Sequence, residues 1–492
     1  MARLLGTSFL IFSIIVSAQS YTPRYANSDC PFFIRRLAED SDADISCGYL
    51  IVPEDREASE NGRLIALFVV RIAARHPSGN APLIFLTGGP GSAVAERLPF
   101  ILGSQLRQNY EVIAVDQRGA GFSRPSLNCV ELDDQTRTSY SDWRQDCYRR
   151  LLDEGIALHS YNSANNAKDI HDLLVALDIE EANIYGLSYG SRLALTVARD
   201  FPERLRALIL DGVLPLQVKR LETHALNGYQ AIEQLFADCS ADRICNRAYP
   251  NLRESFYSAL KTMDREPAEI DQGDKDYPIV ITGDDLVNEI YAKLYDAHLI
   301  PFLPALIDAY AQGDYDYDPA EEARRREAQT LIGAEMLWNL DKSSEGLALS
   351  VACAEEVPFN SRDEIVNRAA NLPGAVRRPL VEIAISDISN CSEWQVPRAP
   401  DLENQPVASD IPTLLLSGRY DPVTPPEWGA EAAQYLVNSW RYVFPDSGHG
   451  LLFRVDAGCA ESIALSFLAN PERRPNDACI AELTSPDFYI RP

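Results

Sequence analysis

Short runs of apolar residues, each about the length of a strand, recur along the chain. In the first half they cover residues 48–53, 64–70, 82–86, 110–116, 183–187 and 205–211, and near the end they cover 413–418 and 441–444. Runs that are apolar throughout, rather than at alternate positions, are typical of strands buried on both faces of a largely parallel sheet. The pattern therefore predicts a sheet that is covered on both sides.

Between these runs the apolar spacing becomes helical. Ile170, Leu173, Leu174 and Leu177 lie at positions i, i+3, i+4 and i+7, which places them on one face of a helix. Strands that alternate with helices in this way predict a doubly wound α/β sheet.

The alternation stops between about residues 213 and 400. This stretch has helical patterns at 225–237, 251–263, 299–310 and 321–338, with glycines and prolines marking turns. We therefore predict that residues 19–212 and 401–492 build the α/β core and that residues 213–400 form a helical lid inserted into it. The polar stretch 19–45 is expected to be an irregular strap held in place by Cys30.

The first 18 residues have the features of a signal peptide. Arg3 supplies a positive charge, residues 4–16 are mostly apolar, and Val16-Ser17-Ala18 offers small residues for cleavage. The apolar run is short for a membrane span, so an uncleaved anchor is the less favoured alternative. The mature chain is expected to be secreted or periplasmic, with no stable membrane association.

The cysteines agree with export, because an even number in an exported chain indicates disulfide bonds. The ten cysteines fall into five neighbouring couples: Cys30 and Cys47, Cys129 and Cys147, Cys239 and Cys245, Cys353 and Cys391, and Cys459 and Cys479. Ten cysteines allow about 945 pairings, so the pairing of neighbours is an expectation that the sequence alone does not establish. Zinc is disfavoured, since C-x-x-C does not recur and no histidine lies beside a couple. We expect no metal and no organic cofactor.

The charge of the chain disfavours one class of partner. The chain has 72 acidic and 45 basic residues, a formal net charge of −27. Such a chain is poorly suited to neutralising a phosphate backbone, so nucleic acid is not expected as a partner. The sequence leaves the oligomeric state open.

One segment carries the pattern of an activated serine. Gly186-Leu187-Ser188-Tyr189-Gly190 fits G-x-S-x-G, with an apolar strand before it and a helix rich in alanine and leucine after it. A serine at so tight a turn adopts an unusual backbone conformation, and the residues two before and two after it must be small. A glycine-rich turn also occurs without any chemistry, but the flanking elements favour Ser188 as a nucleophile.

A serine nucleophile needs a base, and the base needs an orienting acid. Of the six histidines, His449 lies between two glycines just after the last predicted core strand. Asp421 follows the predicted strand 413–418 and precedes His449, which matches the chain order Ser, Asp, His. Asp211, at the end of the preceding strand, is the alternative acid.

Two backbone N–H groups are expected to stabilise the negative oxygen that forms during attack by the serine. One belongs to Tyr189, the residue after the nucleophile. The other is assigned to Gly89 in Thr87-Gly88-Gly89-Pro90-Gly91, which follows an early predicted strand. Glycine lets the backbone approach the substrate oxygen closely.

Together these motifs resemble a known family. Gly88-Gly89-Pro90-Gly91, the segment 116–123, the serine motif, the segment 421–425 and Gly448-His449-Gly450 occur in the order found in the α/β-hydrolase serine peptidases. The likeness is to the prolyl and tripeptidyl aminopeptidase family in particular. The part from about residue 358 onward is similar to that family's tripeptidyl-aminopeptidase-like C-terminal region. The resemblance implies an α/β-hydrolase fold. Thr87 departs from the family, which usually has histidine there.

The resemblance also implies a substrate, namely a peptide with a free N-terminus from which the enzyme removes residues. In this family acidic groups of the lid hold the substrate's ammonium, and Glu355 and Glu356 are the candidates here. The open alternative is that they are two solvated glutamates. Asp116 and Arg118 are expected to brace the loop beneath the oxyanion hole.

Two other functions remain open at this point. A carboxylesterase would use the same serine, histidine and aspartate, because both reactions pass through an acyl-enzyme. A non-catalytic binding protein on a hydrolase scaffold is disfavoured, since no member of the expected triad is missing.

Overall fold

The computed structural model describes residues 21–57, 62–133, 142–270, 279–327, 343–454 and 457–491. The predicted signal peptide lies outside these residues, as does the part of the predicted helix 321–338 that follows residue 327.

The centre of the molecule is a nine-stranded sheet in the order β1-β2-β3-β5-β4-β6-β7-β10-β11. The strands of this sheet are β1 (Arg24–Ser28), β2 (Ile45–Pro53), β3 (Leu64–Ile72), β4 (Leu83–Leu86), β5 (Val112–Val115), β6 (Ala182–Leu187), β7 (Leu205–Asp211), β10 (Thr413–Gly418) and β11 (Ser439–Phe444), and β8 (Ala268–Ile270) and β9 (Ile279–Ile281) form a separate pair. From β5 to β11 every neighbouring pair is parallel, whereas β1, β2 and β3 are joined antiparallel at one side. The predicted largely parallel sheet and α/β class are confirmed.

Sixteen α-helices occur in the described residues, and those before β7 and after β10 alternate with the strands of the sheet. The helices are α1 (Phe32–Ser41), α2 (Leu98–Gly103), α3 (Asp142–Asp153), α4 (Ser163–Ala176), α5 (Tyr189–Asp200), α6 (Arg220–Ala241), α7 (Arg243–Ala248), α8 (Leu252–Arg265), α9 (Gly283–Leu294), α10 (Leu303–Ala311), α11 (Pro319–Glu327), α12 (Glu345–Val351), α13 (Arg362–Ala369), α14 (Gly374–Asn390), α15 (Pro426–Ala433) and α16 (Gly458–Ala469). A π-helical turn, Ala352–Glu356, follows α12.

Successive residues of a central strand pack into different cores, as a strand with two buried faces requires. In β4, Ile84 and Leu86 join the apolar cluster that contains α4 and α5, whereas Leu83 and Phe85 join the cluster that contains α2 and α16. All four residues are fully buried. The uninterrupted apolar runs of the sequence therefore reflect a three-layer arrangement of helices, sheet and helices.

The stretch between β7 and β10 has an apolar core of its own, made mainly by α6, α8, α9, α10 and α14. It also contains the strand pair β8 and β9, which the helical pattern did not predict. The end of the chain packs on this stretch, because Tyr489 N–H donates to Pro301 O at 2.9 Å and Tyr249 Oη donates to Tyr489 O at 2.9 Å. The C-terminal tail therefore packs with the helices between β7 and β10, although it lies outside residues 213–400. The limits 213–400 of the lid remain a prediction.

The prediction that residues 19–45 are irregular is wrong. β1 pairs with β2 along the edge of the sheet, and α1 follows it. β1 is largely exposed and polar, so its pairing rests on backbone hydrogen bonds rather than on an apolar face. A hydrophobic pattern therefore contains no signal for it.

All five predicted disulfide pairs are present: Cys30–Cys47, Cys129–Cys147, Cys239–Cys245, Cys353–Cys391 and Cys459–Cys479. Within the ranges described above, no helix combines the length and the apolar character needed to cross a membrane.

Candidate active site

Ser188 occupies a strained turn between β6 and α5. Its φ of 57° and ψ of −122° lie outside the regions that non-glycine residues ordinarily adopt. The turn needs its two glycines, because a Cβ on Gly186 would lie 2.2 Å from Gly190 O and a Cβ on Gly190 would lie 2.3 Å from Leu86 O. Ser188 N–H donates to Asp211 O of the neighbouring β7 at 2.8 Å, which holds the turn to the sheet.

His449 and Asp421 form a buried pair. His449 Nδ1 lies 2.7 Å from Asp421 Oδ2, and the two side chains are 1% and 0% exposed. The other carboxylate oxygen, Oδ1, accepts hydrogen bonds from Val423 N–H and Thr424 N–H, both at 2.9 Å. A carboxylate at Nδ1 favours the tautomer in which Nε2 has no proton, so Nε2 is left as the basic nitrogen.

Thr424 gives this pair a third member. Its hydroxyl donates to Asp421 Oδ2 at 2.5 Å and lies 3.0 Å from His449 Nδ1. The side chain is buried, with 1% of the residue exposed. The carboxylate is therefore held from three directions and has little freedom to turn away from the imidazole.

The His449 ring lies beside the end of β7, the strand to which the backbone of Ser188 is hydrogen-bonded. A Cβ on Gly212, the residue after β7, would lie 2.9 Å from His449 Cε1. The backbone N–H of Ser188 donates a hydrogen bond to the carbonyl of Asp211, the residue before Gly212. His449 Nε2 is buried and makes no hydrogen bond within the part of the chain that the structure describes. Hydrogen bonds between base and nucleophile are commonly long without substrate, so this arrangement suits a base that acts on Ser188.

The end of α9 covers His449. Tyr295 stacks on the imidazole, with ring centroids 4.4 Å apart and planes inclined by 27°, and its carbonyl accepts from His449 N–H at 2.8 Å. A Cβ on Gly448 would lie 2.4 Å from Leu294 O, so glycine is needed at this contact. Burial raises the pKa of Tyr295 to about 12, and the phenol is therefore neutral near pH 7.

Asp211, the alternative acid, binds a different part of the same loop. Its carboxylate accepts from Leu451 N–H and Leu452 N–H, each at 2.8 Å, and from Tyr185 Oη at 2.9 Å. Burial raises its pKa above the usual range for aspartate, although these donors and the nearby His449 oppose the rise. The carboxylate thus fixes the backbone just after His449, while Asp421 contacts the ring.

The glycine loop lies directly beside Ser188. A Cβ on Gly88 would lie 2.9 Å from Ser188 Cβ, and Gly89 has a φ of 105°, a conformation that favours glycine. Neither Gly89 N–H nor Tyr189 N–H donates a hydrogen bond to any residue that the structure describes. Tyr189 begins α5, where first-turn amides point out of the helix and favour negative charge.

Asp116 and Arg118 lie behind this loop in different ways. Asp116 accepts from Val94 N–H at 2.7 Å and from Phe122 N–H at 2.8 Å, and burial raises its pKa to about 7. Asp116 therefore ties the segment after the glycine loop to the turn after β5. Arg118 is fully buried and binds Asp169 of α4 through both Nε and Nη2, each at 2.8 Å, so it braces α4 rather than the loop directly.

Glu355 and Glu356 lie side by side on the π-helical turn and face different partners. Glu355 is 1% exposed and accepts from Ser163 N–H and Ser163 Oγ, both at 2.6 Å, with Arg192 Nε at 3.4 Å. Burial raises its pKa, and Arg192 partly opposes this. The Ser163 hydroxyl also lies 2.8 Å from Tyr189 Oη. Glu355 is thereby part of the packing under the first turn of α5.

Glu356 retains one carboxylate oxygen without a hydrogen bond. Its Oε2 accepts from Arg220 Nε at 2.6 Å, whereas Oε1 lies 4.0 Å from the nearest Arg192 nitrogen and accepts no hydrogen bond from the described residues. Although burial raises its pKa, Arg220 and Arg192 outweigh burial and lower it below the usual range. Glu356 is therefore ionised near pH 7.

Sequence reasoning missed Thr424 and Tyr295. Thr424 carried a signal, since a threonine three residues after an aspartate in a proline-bounded turn can return its hydroxyl to that carboxylate. Tyr295 carried none, because its contact with His449 depends on where α9 ends in the folded chain.

A group with metal-ligating atoms occurs away from this site. Cys129, Glu131 and Cys147 bring such atoms within 4.8 Å of one another. Both sulfurs are joined in a disulfide, and Glu131 Oε1 accepts from Arg150 Nε at 2.6 Å. These atoms already have partners, and the group does not form a metal site.

Comparison with known proteins agrees with this fold. The family profile for the alpha/beta hydrolase fold matches residues 81–265, and the profile for TAP-like proteins matches residues 381–479. The chain is 25% identical over 471 residues to "Serine protease Hip1" of Mycobacterium tuberculosis, covering 88% of this chain and 86% of that protein.

Two further relatives differ in their names. "Tripeptidyl aminopeptidase" of Streptomyces coelicolor is 27% identical over 196 residues, 35% of each chain. "Carboxylesterase B" of Mycobacterium tuberculosis is 23% identical over 449 residues, 84% of this chain and 82% of that one.

The protein is a serine hydrolase of the α/β-hydrolase fold. The predicted resemblance to the serine peptidases of this fold, with a tripeptidyl-aminopeptidase-like C-terminal region, is confirmed. The alternative of a non-catalytic binding protein is not retained.

Proposed function

We propose that the protein is an exported peptidase that removes residues from the free N-terminus of peptides, using Ser188, His449 and Asp421. The buried His449–Asp421 pair, located at the strand end that anchors the Ser188 turn, carries this proposal. The five disulfide bonds support export, because such bonds persist in oxidising compartments.

In the proposed reaction, Ser188 Oγ attacks the scissile carbonyl while His449 Nε2 takes the hydroxyl proton. The carbonyl oxygen becomes negative and accepts hydrogen bonds from Gly89 N–H and Tyr189 N–H. His449 then gives the proton to the leaving amine, which departs and leaves an acyl-enzyme. Water attacks the ester with His449 as base, and the acid product leaves. Asp421, held by Thr424, stabilises the imidazolium that forms twice in the cycle.

Glu355 and Glu356 are proposed as the acidic groups that select a free N-terminus. Glu356 provides the direct contact in this proposal, because its Oε1 is free to accept from an ammonium. Glu355 supports the same turn through Ser163 and Arg192. A blocked N-terminus would bring no positive charge to this carboxylate.

The test uses tripeptide and single-residue amides with free N-termini, the same amides with blocked N-termini, and a short-chain ester. We expect cleavage of the free-amine substrates and a loss of kcat of about 10⁶-fold in Ser188→Ala. Ser191→Ala serves as the matched control, since that hydroxyl donates to Ser188 O at 2.6 Å and belongs to the fold of the turn. Wild-type turnover in Ser188→Ala would exclude the mechanism.

Glu356→Gln tests the selection of the N-terminus separately. It should lower kcat/KM about tenfold for free-amine substrates and leave the blocked substrates and the ester nearly unchanged. Equal losses on all three substrates would remove Glu356 from amine recognition.

A carboxylesterase is the second candidate, favoured by the similarity to the protein named carboxylesterase B over most of both chains. The same triad would act on an ester. Hydrolysis of the ester alone, indifferent to the blocking of an amine, would select this function.

A further inference from the structure

A cavity of about 210 Å³ opens beside the ring of His449. Its walls include Arg97, Phe100, Leu187, Tyr295, His449 and Arg454. It therefore borders both the candidate base and the residue before the nucleophile. The loop that forms one wall contains Phe453, whose φ of 52° is unusual for a side chain of this size.

Two arginines of this cavity have no carboxylate partner among the residues that the structure describes. Among the described residues, neither Arg97 nor Arg454 forms an ion pair, whereas the buried Arg118 and Arg192 and the partly buried Arg220 all do. Arg454 donates from Nη2 to Ser447 Oγ at 2.9 Å, but its Nε is buried without an acceptor. Two guanidinium groups in one small cavity, with no ion pair to any described residue, are unexpected in a chain with a net charge of −27.

Of the described residues that line the cavity, Asp296 is the one with a carboxylate, and a single carboxylate does not balance two guanidinium charges. Asp296 forms part of the wall, and its Oδ1 accepts from His298 N–H at 2.9 Å. Arg97 and Tyr295 line the same cavity, and the positive charge of Arg97 partly opposes the rise that burial causes in the pKa of the Tyr295 phenol. Arg97 and the tyrosine that stacks on His449 therefore border the same space.

The chemistry of the proposed reaction determines what occupies this place. His449 Nε2 must reach the nitrogen of the leaving group to give it a proton, so the leaving group lies next to the imidazole ring. A cavity with the His449 ring as one wall is where the residues after the scissile bond would extend.

We propose that this cavity binds the leaving part of the peptide and that Arg97 and Arg454 recognise a carboxylate on it. This inference rests on the proposed peptidase function. The carboxylate is either the free C-terminus of a short peptide or the acidic side chain of the first residue after the scissile bond. Arginine suits this task, since its planar donors match both oxygens of a carboxylate. The enzyme would then favour short peptides or acidic leaving groups over long neutral ones.

The test compares peptides that share the same residues before the scissile bond. One ends in a free carboxylate soon after that bond, one is its C-terminal amide, and two longer amides carry glutamate or glutamine immediately after the bond. We expect kcat/KM to be about tenfold higher for the acid than for its amide. A preference for glutamate over glutamine would assign the site to the acidic side chain instead.

Arg97→Ala and Arg454→Gln should each remove most of this preference and leave cleavage of the neutral amide nearly unchanged. Arg149→Ala is the matched control, because that arginine is 61% exposed and pairs with Asp146 on α3. Cleavage of charged and neutral peptides at equal rates by the wild type would overturn the inference while the peptidase function stands.

A second measurement is independent of peptide cleavage. A dipeptide acid and its amide are compared as inhibitors of ester hydrolysis. The inhibition constants report binding in the cavity even if the enzyme cleaves no peptide. We expect the acid to inhibit about tenfold more strongly in the wild type and not in Arg97→Ala. Equal inhibition by acid and amide would exclude carboxylate recognition. Failure to cut any peptide, with the inhibition difference intact, would instead count against the peptidase function alone.

Discussion

The neighbouring strands β7 and β10 each bring a buried aspartate to the same loop: Asp211 is the last residue of β7, and Asp421 lies in the turn that follows β10. The two carboxylates serve different parts of that loop. Asp211, at the end of β7, accepts hydrogen bonds from two backbone amides beyond His449 and from the hydroxyl of Tyr185. Asp421 after β10 binds the His449 ring itself and the Thr424 hydroxyl. One aspartate therefore places the loop, and the other orients the imidazole. An aspartate at a strand end near the histidine does not by itself identify the acid of a triad.

Among the variants that test this comparison of two aspartates, Asp421→Asn should produce the largest effect on catalysis. An amide at this position cannot stabilise the imidazolium and favours the wrong tautomer of His449, so kcat should fall about 10⁴-fold with little change in fold. Steady-state kinetics and circular dichroism measure the two quantities. Activity close to that of the wild type would mean that Asp211 or another group orients the ring.

Asp211→Asn should affect mainly stability. In the wild type, three donors point at the Asp211 carboxylate, whereas in the variant some of them would face the amide N–H₂, which cannot accept a hydrogen bond. The free energy of unfolding should therefore drop by about 2–4 kcal/mol. The loss of kcat should be much smaller than in Asp421→Asn at a temperature where both are folded. Denaturant unfolding and kinetics on the same preparations provide the comparison. A larger catalytic defect in Asp211→Asn would reverse the assignment of the two carboxylates.

Thr424→Val should have a moderate effect on catalysis alone. The valine keeps the shape of the side chain but removes the donor to Asp421 Oδ2, so the carboxylate gains freedom and kcat should fall about tenfold. Thr424→Ser keeps the hydroxyl and should retain most of the activity. If both variants behave alike, the contribution of Thr424 is packing and not the hydrogen bond.

The pH dependence of stability gives the smallest expected effect. Burial raises the native pKa of Asp211 above its ordinary value of 3.8, so the native state binds this proton more tightly than the unfolded state. The contribution of Asp211 to stability should therefore be present at low pH and be lost as the pH rises through the raised pKa. The free energy of unfolding is measured for the wild type and for Asp211→Asn from about pH 4 to about pH 7. The stability of the wild type relative to the variant should decrease over this range. The opposite trend would indicate a lowered native pKa.

The sequence predicted those parts of the site that depend on short segments. The turn around Ser188, the Asp421 turn and the glycines beside His449 each combine a strand end with residues that suit a tight turn, and such patterns are local. The five disulfide pairs followed from neighbouring positions in the same way.

Features that depend on distant packing were not predictable. The contact of Tyr295 with His449 requires α9 to end above the loop, and nothing near either residue signals this. The different tasks of Asp211 and Asp421 appear only when the amides of Leu451 and Leu452 are placed. The polar edge strand β1 was missed because its stability comes from backbone pairing, which leaves no trace in the hydrophobic pattern of the sequence.

The contact between Tyr295 and the His449 backbone links the position of the proposed base to the helical stretch above it. The hydrogen bond from His449 N–H to Tyr295 O and the ring stacking join the end of α9 to the loop after β11. If α9 moved away to admit substrate, the imidazole would lose both its covering ring and its backbone anchor. Entry of substrate and readiness of the base would then be mutually exclusive on this side, so a path that leaves α9 in place would allow faster turnover than one that displaces it.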